Sequence, residues 1–317
     1  MKKLFGFLYF FTFCLVILLI LQGNAFGQSY TYHTFPNGKR TQVVALSDST
    51  GEFVSITDLL TNPNFMLQVA LGKVPGALIV NKFGHNPTIA TNTDPEDVWA
   101  GSGIYDFYPT ATQSMEAVSS SSEDGVGGTG ALIIQVYGLS GTWALQNESV
   151  TLNGSSTVNL SNTYTRVFRT IVTSAGTNNT NVGNITVRIK GAGTTGSYIM
   201  AGDGQTQQAI YTIPINYTGF FLKGYVGISK GGGATVVAAE FKWKAKANNG
   251  VNGAWATKGQ MECITHGSSW WQYEYGAPNG PIPEKTDIRI ECVEVSATVG
   301  VVGGLDLILF DNTIWDL

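Results

Sequence analysis

Charged side chains are scarce in this chain of 317 residues. Lysine and arginine together number 18 and aspartate and glutamate 22, so that 13% of the residues are charged, against about 25% in an average globular protein. The net charge is −4, and the sequence contains no cluster of basic residues. Because nucleic-acid binding depends on neutralising phosphates with basic side chains, the composition argues against a nucleic-acid partner.

Histidine is equally rare. The three histidines, His33, His85 and His266, lie in separate segments, and none has another ligand type at the spacing of a metal site. No Gly-x-Ser-x-Gly elbow that leads into a helix and no phosphate-binding glycine loop is present. We therefore expect no metal, no cofactor and no enzymatic activity.

Cysteine is limited to three residues, one of which, Cys14, lies in the N-terminal apolar run. The other two, Cys263 and Cys292, lie in strand-like segments. If those strands are neighbours, an exported protein could join the two thiols in a disulfide. The alternative is a pair of buried thiols, which are also common in β-proteins.

Helical periodicity is absent over any long stretch after Ile104. Short alternating or β-branched segments recur instead, roughly every 8 to 15 residues, between clusters of Gly, Asn, Ser and Thr, as in antiparallel sandwiches. The sequence predicts an all-β fold, an antiparallel β-sandwich or jelly roll, in two lobes at 101–206 and 207–317. Asn153-Gly154 is the strongest hairpin signal.

The run Phe241–Lys246 shows the strand pattern most clearly. Phe241, Trp243 and Ala245 alternate with three lysines, so the apolar and the charged side chains fall on opposite faces of one strand. We expect the lysines on a solvated sheet face or on an edge strand, where they discourage pairing with other chains.

The N-terminus has the pattern of an export signal. Met1-Lys-Lys precedes an apolar run from Leu4 to Leu21 and the small-residue site Ala25-Phe-Gly27, which is the arrangement of a secretory signal peptide. A retained membrane anchor is the alternative, because about 18 apolar residues suffice to span a bilayer. Residues 1–27 are therefore interpreted as a signal peptide or an anchor, and an anchor would be the only contact with a membrane.

Residues 28–100 show few strand signals, although a short helix fits within 58–72. Prolines, among them Pro63, Pro75, Pro87 and Pro95, interrupt the segment. Such a segment buries too little apolar surface by itself to offset the cost of ordering its backbone. We expect an extended arm that is ordered only against the body or a partner, and a β-rich body that folds without it.

The densest acidic cluster is formed by Asp94, Glu96 and Asp97. Carboxylate oxygens suit calcium, but the spacing matches no calcium loop, and a solvated turn or a helix cap is the favoured interpretation.

An aromatic row follows further along the chain. In a strand, Trp271, Tyr273 and Tyr275 share one face. They would serve as a core face, which is the favoured interpretation, as a glycan-stacking surface or as a contact between subunits.

Several segments resemble virion structural proteins of tailed bacteriophages, of the head-fibre or capsid-decoration kind. The resemblance extends over about residues 65–312 and rests on 81–87 (NKFGHNP), 94–99 (DPEDVW), 101–105 (GSGIY), 282–290 (IPEKTDIRI) and 303–312 (GGLDLILFDN). It implies a structural or binding role and names no ligand. On this basis Phe83, His85 and Trp99 are expected to dock the arm on a capsid or a neighbouring subunit.

Three hypotheses follow from these observations. The first is a non-enzymatic virion protein, located in a virion, partnered by capsid proteins and by itself, with a trimer favoured, and serving host attachment. The second is an exported, extracellular or cell-surface adhesin or carbohydrate-binding β-sandwich, whose partner is a host-surface glycan. The third is an exported glycan-active enzyme with a dispersed acidic pair.

Overall fold

The structure is a computed structural model. It describes residues 30–34, 40–44, 46–47, 53–54, 65–91, 93–228, 236–248, 253–265 and 269–315, with the backbone alone for the strands before residue 65 and for residues 265 and 269–279. The predicted leader at 1–27, including Cys14, and His266 lie outside these residues. The chain divides into two compact units, Met1–Val74 and Pro75–Leu317.

The smaller unit contains two short antiparallel strand pairs and a helix. Strand β1 (Tyr30–Thr34) pairs with β2 (Arg40–Val44), and β3 (Leu46–Ser47) pairs with β4 (Phe53–Val54). Helix α1 (Phe65–Ala70) follows, inside the segment where the sequence predicts a short helix. The described part of the chain contains no helix with the length and hydropathy of a membrane span.

The larger unit is built from antiparallel β-sheets, which confirms the predicted all-β fold class. Two of its strands come early in the chain and seven come late. These nine strands are β5 (Ala77–Ile89), β6 (Glu96–Asp97), β14 (Ile210–Thr212), β15 (Tyr217–Ile228), β16 (Val237–Ala247), β17 (Ala256–Thr265), β18 (Ser269–Ile282), β19 (Thr286–Val295) and β20 (Val299–Asp311).

These nine strands form a jelly roll. One sheet has the order β18-β15-β20-β5, and the other has the order β14-β19-β16-β17, with β6 also paired to β19. The first strand is thus hydrogen-bonded to the last, and two facing sheets enclose the core, as in jelly-roll sandwiches. Side chains from both sheets, among them Phe221, Leu305, Phe241 and Ile288, form one buried cluster.

A second sandwich lies between β6 and β14 in the sequence. Its strands are β7 (Gln113–Ser119), β8 (Ala131–Leu139), β9 (Leu145–Thr151), β10 (Val158–Tyr164), β11 (Arg166–Ala175), β12 (Ile185–Ile189) and β13 (Thr195–Ile199). They form the sheets β10-β7-β12-β13 and β11-β8-β9. Met115, Ile134 and Val187 belong to the buried cluster of this lobe, which we call the inserted lobe.

The alternation in 241–246 is confirmed, but of the two predicted locations for the lysines the edge strand is wrong. Phe241, Trp243 and Ala245 are buried in the jelly-roll core, and the lysines occupy the opposite face. Strand β16 is internal, however, because it lies between β17 and β19. The lysines are only partly exposed, and Lys244 pairs with the buried Glu291 of the neighbouring strand.

The strand pairing differs from the arm that the sequence predicts at 28–100. Strand β5 pairs with β20 along nearly its whole length, from Ala77↔Phe310 to Ile89↔Val299, and Ile89 belongs to the jelly-roll core. Prolines within edge strands are tolerated because one edge needs no partner, which is why Pro87 does not prevent a strand. Residues 77–100 therefore belong to the body.

We expect truncated chains to distinguish an arm that extends over 28–100 from a body that includes residues 77–100. A chain of residues 75–317 retains every strand of both sandwiches and is expected to unfold cooperatively in urea. A chain of residues 100–317 lacks β5 and β6, leaves the edge of β20 unpaired and exposes the core around Ile89, so it is not expected to fold. Circular dichroism and urea titration compare the two chains, and equal midpoints would contradict the assignment of β5 to the body.

Candidate functional site at the junction of the two lobes

The inserted lobe leaves the jelly roll and returns to it at one point. Strand β6 and strand β14 lie end to end along the same edge of β19, opposite Glu291–Cys292 and Asp287–Arg289 respectively. They are two halves of one jelly-roll strand that the insertion interrupts. The chain departs after Val98, whose amide donates to Ile290 O at 2.9 Å, and rejoins at Ala209.

The departing and returning segments pair with each other. Ala209 N donates to Val98 O at 3.0 Å, and Ala100 N donates to Gln207 O at 2.9 Å. Trp99 and Gln208 form an antiparallel bridge between these contacts. We call this two-stranded connection, residues 98–100 and 207–209, the neck. Because both crossings are hydrogen-bonded, the neck is a short ribbon and not a pair of independent linkers.

Gly84 of strand β5 packs directly against the neck. A Cβ atom at this position would lie 2.0 Å from Val98 O and 2.6 Å from Ala209 N. Both neighbours are backbone atoms that hold the neck together. Glycine is therefore required here for close approach of two backbones, which gives the segment NKFGHNP a structural role in the body.

The three predicted docking residues occupy different positions. Phe83 and His85 are half-buried and lie within β5, opposite Gly304 and Val302, so the segment is a strand and not a turn. Trp99 is buried within its own chain, packs edge-to-face on Tyr105 at 5.2 Å and donates from Nε1 to Gly103 O. Trp99 is thus an anchor of the inserted lobe and not of a partner.

A buried ion pair joins the lobes beside the neck. Arg166 of β11 donates to Asp287 of β19 through Nε at 2.7 Å and Nη2 at 2.9 Å. The guanidinium also lies 4.7 Å from the centre of the Trp143 ring and 5.2 Å from that of Tyr108. The two hydrogen bonds to Asp287 and the contacts with the two aromatic rings fix the orientation of the guanidinium.

The carboxylate of Asp287 is completely buried, and each of its two oxygens accepts two hydrogen bonds. In addition to Arg166, Asp287 accepts a hydrogen bond from Thr212 Oγ1 at 2.6 Å and one from Asn248 Nδ2 at 2.5 Å. Because a buried charge is tolerated only when it is paired and hydrogen-bonded, the contacts of Asp287 tie strands of both lobes to a single side chain.

A second cluster of charged side chains, centred on Arg289, lies further along β19. Arg289 donates from Nη1 to Asp97 Oδ2 at 3.1 Å and from Nη2 to Glu291, and it stacks on Trp255 at 4.3 Å. Asp97 Oδ2 also accepts from Tyr105 N at 2.8 Å. Burial raises the pKa of Asp97 to about 7, although Arg289 and the Tyr105 amide oppose this shift.

Three buried atoms around this group have no hydrogen-bond partner in the described residues. They are Asp97 Oδ1, Arg289 Nε and Tyr108 OH. Only Asp97 of this group carries a signal in the sequence, as a member of the acidic cluster. Arg289, Tyr108 and Trp255 are remote in sequence and are brought together only by the tertiary structure.

The acidic cluster is not the solvated turn that the sequence predicts. Glu96 and Asp97 are buried, at 4% and 0% exposure. Glu96 Oε2 accepts from Asn86 Nδ2 and Gly103 N, and Asp94 Oδ2 accepts from Val295 N. These carboxylates hold the loop before the neck onto the jelly roll. Within the described residues, no group of three or more His, Cys, Asp or Glu is arranged to hold a metal ion.

Of the two alternatives for the thiols, the structure contains the buried pair and not the disulfide. Cys263 lies opposite Ala239 on one side of β16, and Cys292 lies opposite Phe241 on the other side. One strand therefore separates them, a gap of about 9.6 Å between the outer strands, which exceeds the limit of about 7 Å between bridged Cα atoms. Both are buried, and burial raises the pKa of Cys292 to about 12.

The aromatic row lies on β18, an edge strand of the jelly roll. Trp271 pairs with Val226 and Tyr273 with Gly224 of β15. The side chains of Trp271, Tyr273 and Tyr275 lie outside the described residues, so their role as core face, glycan surface or subunit contact stays a prediction.

Comparison with known proteins assigns this chain to no family. No protein-family model and no curated protein matches this chain. A structure of infectious bursal disease virus Gx strain shares 11% identity, covering 74% of this chain and 75% of that chain at a TM-score of 0.21. The VP2 subviral particle of the same virus shares 9% identity, covering 78% and 82% at a TM-score of 0.19.

The exported protein XepA of PBSX shares 10% identity, covering 89% of this chain and 100% of that chain at a TM-score of 0.15. At TM-scores this low, the superpositions establish neither a common fold nor a function.

We expect Gly84→Ala to destabilise the body by about 1–3 kcal/mol or more, because the added methyl group forces the neck away from β5. Gly303→Ala is the matched control, since Gly303 pairs with Gly84 across the same rung and a Cβ there meets nothing closer than 3.4 Å. Urea denaturation measures both variants. Equal losses of stability would contradict the close approach at Gly84.

We expect Asp97 to make the stability of the protein depend on pH. Its folded pKa of about 7 lies above that of an unfolded aspartate, about 3.9. Its contribution is therefore full below about pH 3.9 and is lost as the pH rises through 7. The free energy of unfolding of the wild type is expected to fall more steeply from about pH 5 to 8 than that of Asp97→Asn, and parallel profiles would refute the assignment.

Proposed function

We propose that this chain is a non-enzymatic structural protein of a virion. The observation that carries the proposal is the architecture: a jelly roll with a second sandwich inserted into one of its strands and fixed by a paired neck. Jelly rolls are common in viral capsid proteins, and they also occur in lectins and cupins. Because a fold alone does not define a function, the inserted lobe is the more informative feature.

The inserted lobe is suited to display. It contains its own core of buried residues, and it joins the jelly roll through the neck, the Arg166–Asp287 pair and the contacts of β5 with β11. A lobe held in this way keeps a fixed orientation on its base. We propose that the jelly roll is the base facing the capsid and that the inserted lobe projects from it as a decoration or head fibre.

Attachment and self-association belong to the same proposal. Residues 77–100 form strands and loops of the body, so the attachment role expected of the N-terminal arm is now proposed for residues 28–74. Self-association, with a trimer favoured, would join copies of the body. The uncharged polar surface implied by 13% charged residues is compatible with a protein that functions outside the cytoplasm.

An adhesin or carbohydrate-binding protein of the cell surface is the second candidate. The observation that favours it is the apolar run from Leu4 to Leu21 after two lysines, because capsid proteins that assemble in the cytoplasm have no need of an export signal. In this case the same rigid inserted lobe would present a binding surface to a glycan or to another cell.

We expect the chain to copurify with virus particles. Culture supernatant from the source organism is fractionated on a density gradient, and peptides of the chain are quantified by mass spectrometry against the major particle proteins. A constant ratio across the particle band supports the virion role. Recovery with the cell envelope, in a form that external protease digests on intact cells, would support the adhesin and contradict the virion role.

The same purified protein tests the non-enzymatic part of the proposal. Incubation with a panel of polysaccharides is expected to release no reducing ends. Release of sugar that a single Asp or Glu substitution abolishes would overturn it.

A further inference from the structure

A cavity of about 310 Å³ lies where β5 of the jelly roll meets β8, β11 and β14. Its size is at the lower end of small-ligand sites, which measure about 300–1,000 Å³. Its walls are mainly apolar and aromatic. The lining residues are Ile79, Val80, Asn81, Lys82, Tyr137, Phe168, Arg169, Ile171 and Tyr211.

An arginine and a buried lysine line the cavity without an acidic partner. Lys82 is 3% exposed, and its Nζ donates to the carbonyl oxygen of Phe168, while Arg169 Nη2 donates to Asn81 O at 2.7 Å. Among the residues that the structure describes, neither side chain forms an ion pair with a carboxylate. Carbonyl dipoles compensate a positive charge less well than a carboxylate does.

The carboxylate of Asp306, which lies opposite Asn81 on β20, is already occupied. Asp306 accepts a hydrogen bond from Asn81 Nδ2 and pairs with Lys223 at 3.1 Å. It therefore supplies no countercharge to Lys82 or Arg169. The cavity places a guanidinium and an amine that can be protonated at one position, and a bound anion would complete this arrangement.

The rest of the cavity is shaped for a ring and not for a bare ion. The Phe168 and Tyr211 rings lie 4.9 Å apart at 58°, and Tyr137 is half-buried beside them. An inorganic anion would leave the accessible part of Tyr137 facing water. A ring with apolar C–H faces and peripheral hydroxyl groups would cover the walls and could use the tyrosine hydroxyls as hydrogen-bond partners.

We propose that this cavity binds an acidic monosaccharide unit, with the sugar carboxylate between Lys82 and Arg169 and the ring against Tyr137 and Phe168. The inference goes beyond the proposed function and does not depend on it, because a virion protein and an adhesin would both use such a site. The cavity lies between the lobes, so the ligand would also strengthen their attachment.

Binding is expected to take up protons. Burial, and secondly the charge of Arg169, lower the pKa of Lys82 well below its usual range. A carboxylate beside the amine opposes both effects and favours the ammonium form. The other titratable groups that line the cavity are Arg169, Tyr137 and Tyr211, and burial raises the pKa of Tyr211, so Lys82 is the group that gains the proton.

The test is isothermal titration calorimetry of the full chain with four probes: glucuronate, galacturonate, glucose and inorganic phosphate. At least one of the two uronates is expected to bind, with an enthalpy that depends on the ionisation enthalpy of the buffer. Glucose, which lacks the carboxylate, is expected not to bind, and phosphate is expected to bind at least about tenfold more weakly. Equal binding of glucose or of phosphate would overturn the proposal, as would the failure of both uronates.

Substitutions of residues that line the cavity test whether the uronate binds there. Arg169→Gln retains an N–H donor for Asn81 O and is expected to weaken uronate binding about tenfold or more, since a charge-assisted hydrogen bond is lost. Arg188→Gln is the control, because Arg188 pairs with Glu116 in the inserted lobe and does not line the cavity. If Arg169→Gln does not fold, Tyr137→Leu serves in its place with the same expected loss, and unchanged binding in the folded variant would overturn the proposal.

Discussion

The close contact between Gly84 and the neck is the constraint on which the rest of the larger unit depends. At this point, β5 passes the backbone of Val98 and Ala209 so closely that no side chain fits between them. The contact lies at the break in the interrupted strand, where the Ala209 amide donates to Val98 O and joins the two halves. With the two halves aligned on β19, the inserted lobe can be added to a jelly roll without disturbing its other strands.

The buried charges then determine how the inserted lobe is oriented. Apolar packing is not directional, and Leu139 and Phe168 of this lobe already contact the jelly-roll core. The Arg166–Asp287 pair adds direction, because its two hydrogen bonds are satisfied in one geometry. Removing one partner of such a pair typically costs about 3–5 kcal/mol, so alternative orientations of the lobes are disfavoured.

The same junction relates the two proposals. A lobe that is fixed on its base by backbone pairing and buried charge provides a rigid cavity wall, and rigid walls reduce the entropy that a ligand must lose. In this proposal Lys82 and Arg169 contact the ligand in addition to serving as interlobe contacts. Display of a lobe and capture of an acidic sugar are therefore compatible uses of one junction.

The sequence by itself determined the strand content and the alternation of Phe241 and Trp243 with lysines, because a period of two is a local property of the chain. It did not determine strand partners. Asn153-Gly154 predicts a hairpin, yet β9 and β10 belong to different sheets. The union of β5 with β20, the burial of Asp97 and the strand between Cys263 and Cys292 depend on contacts between residues distant in sequence, so only the tertiary structure decided them.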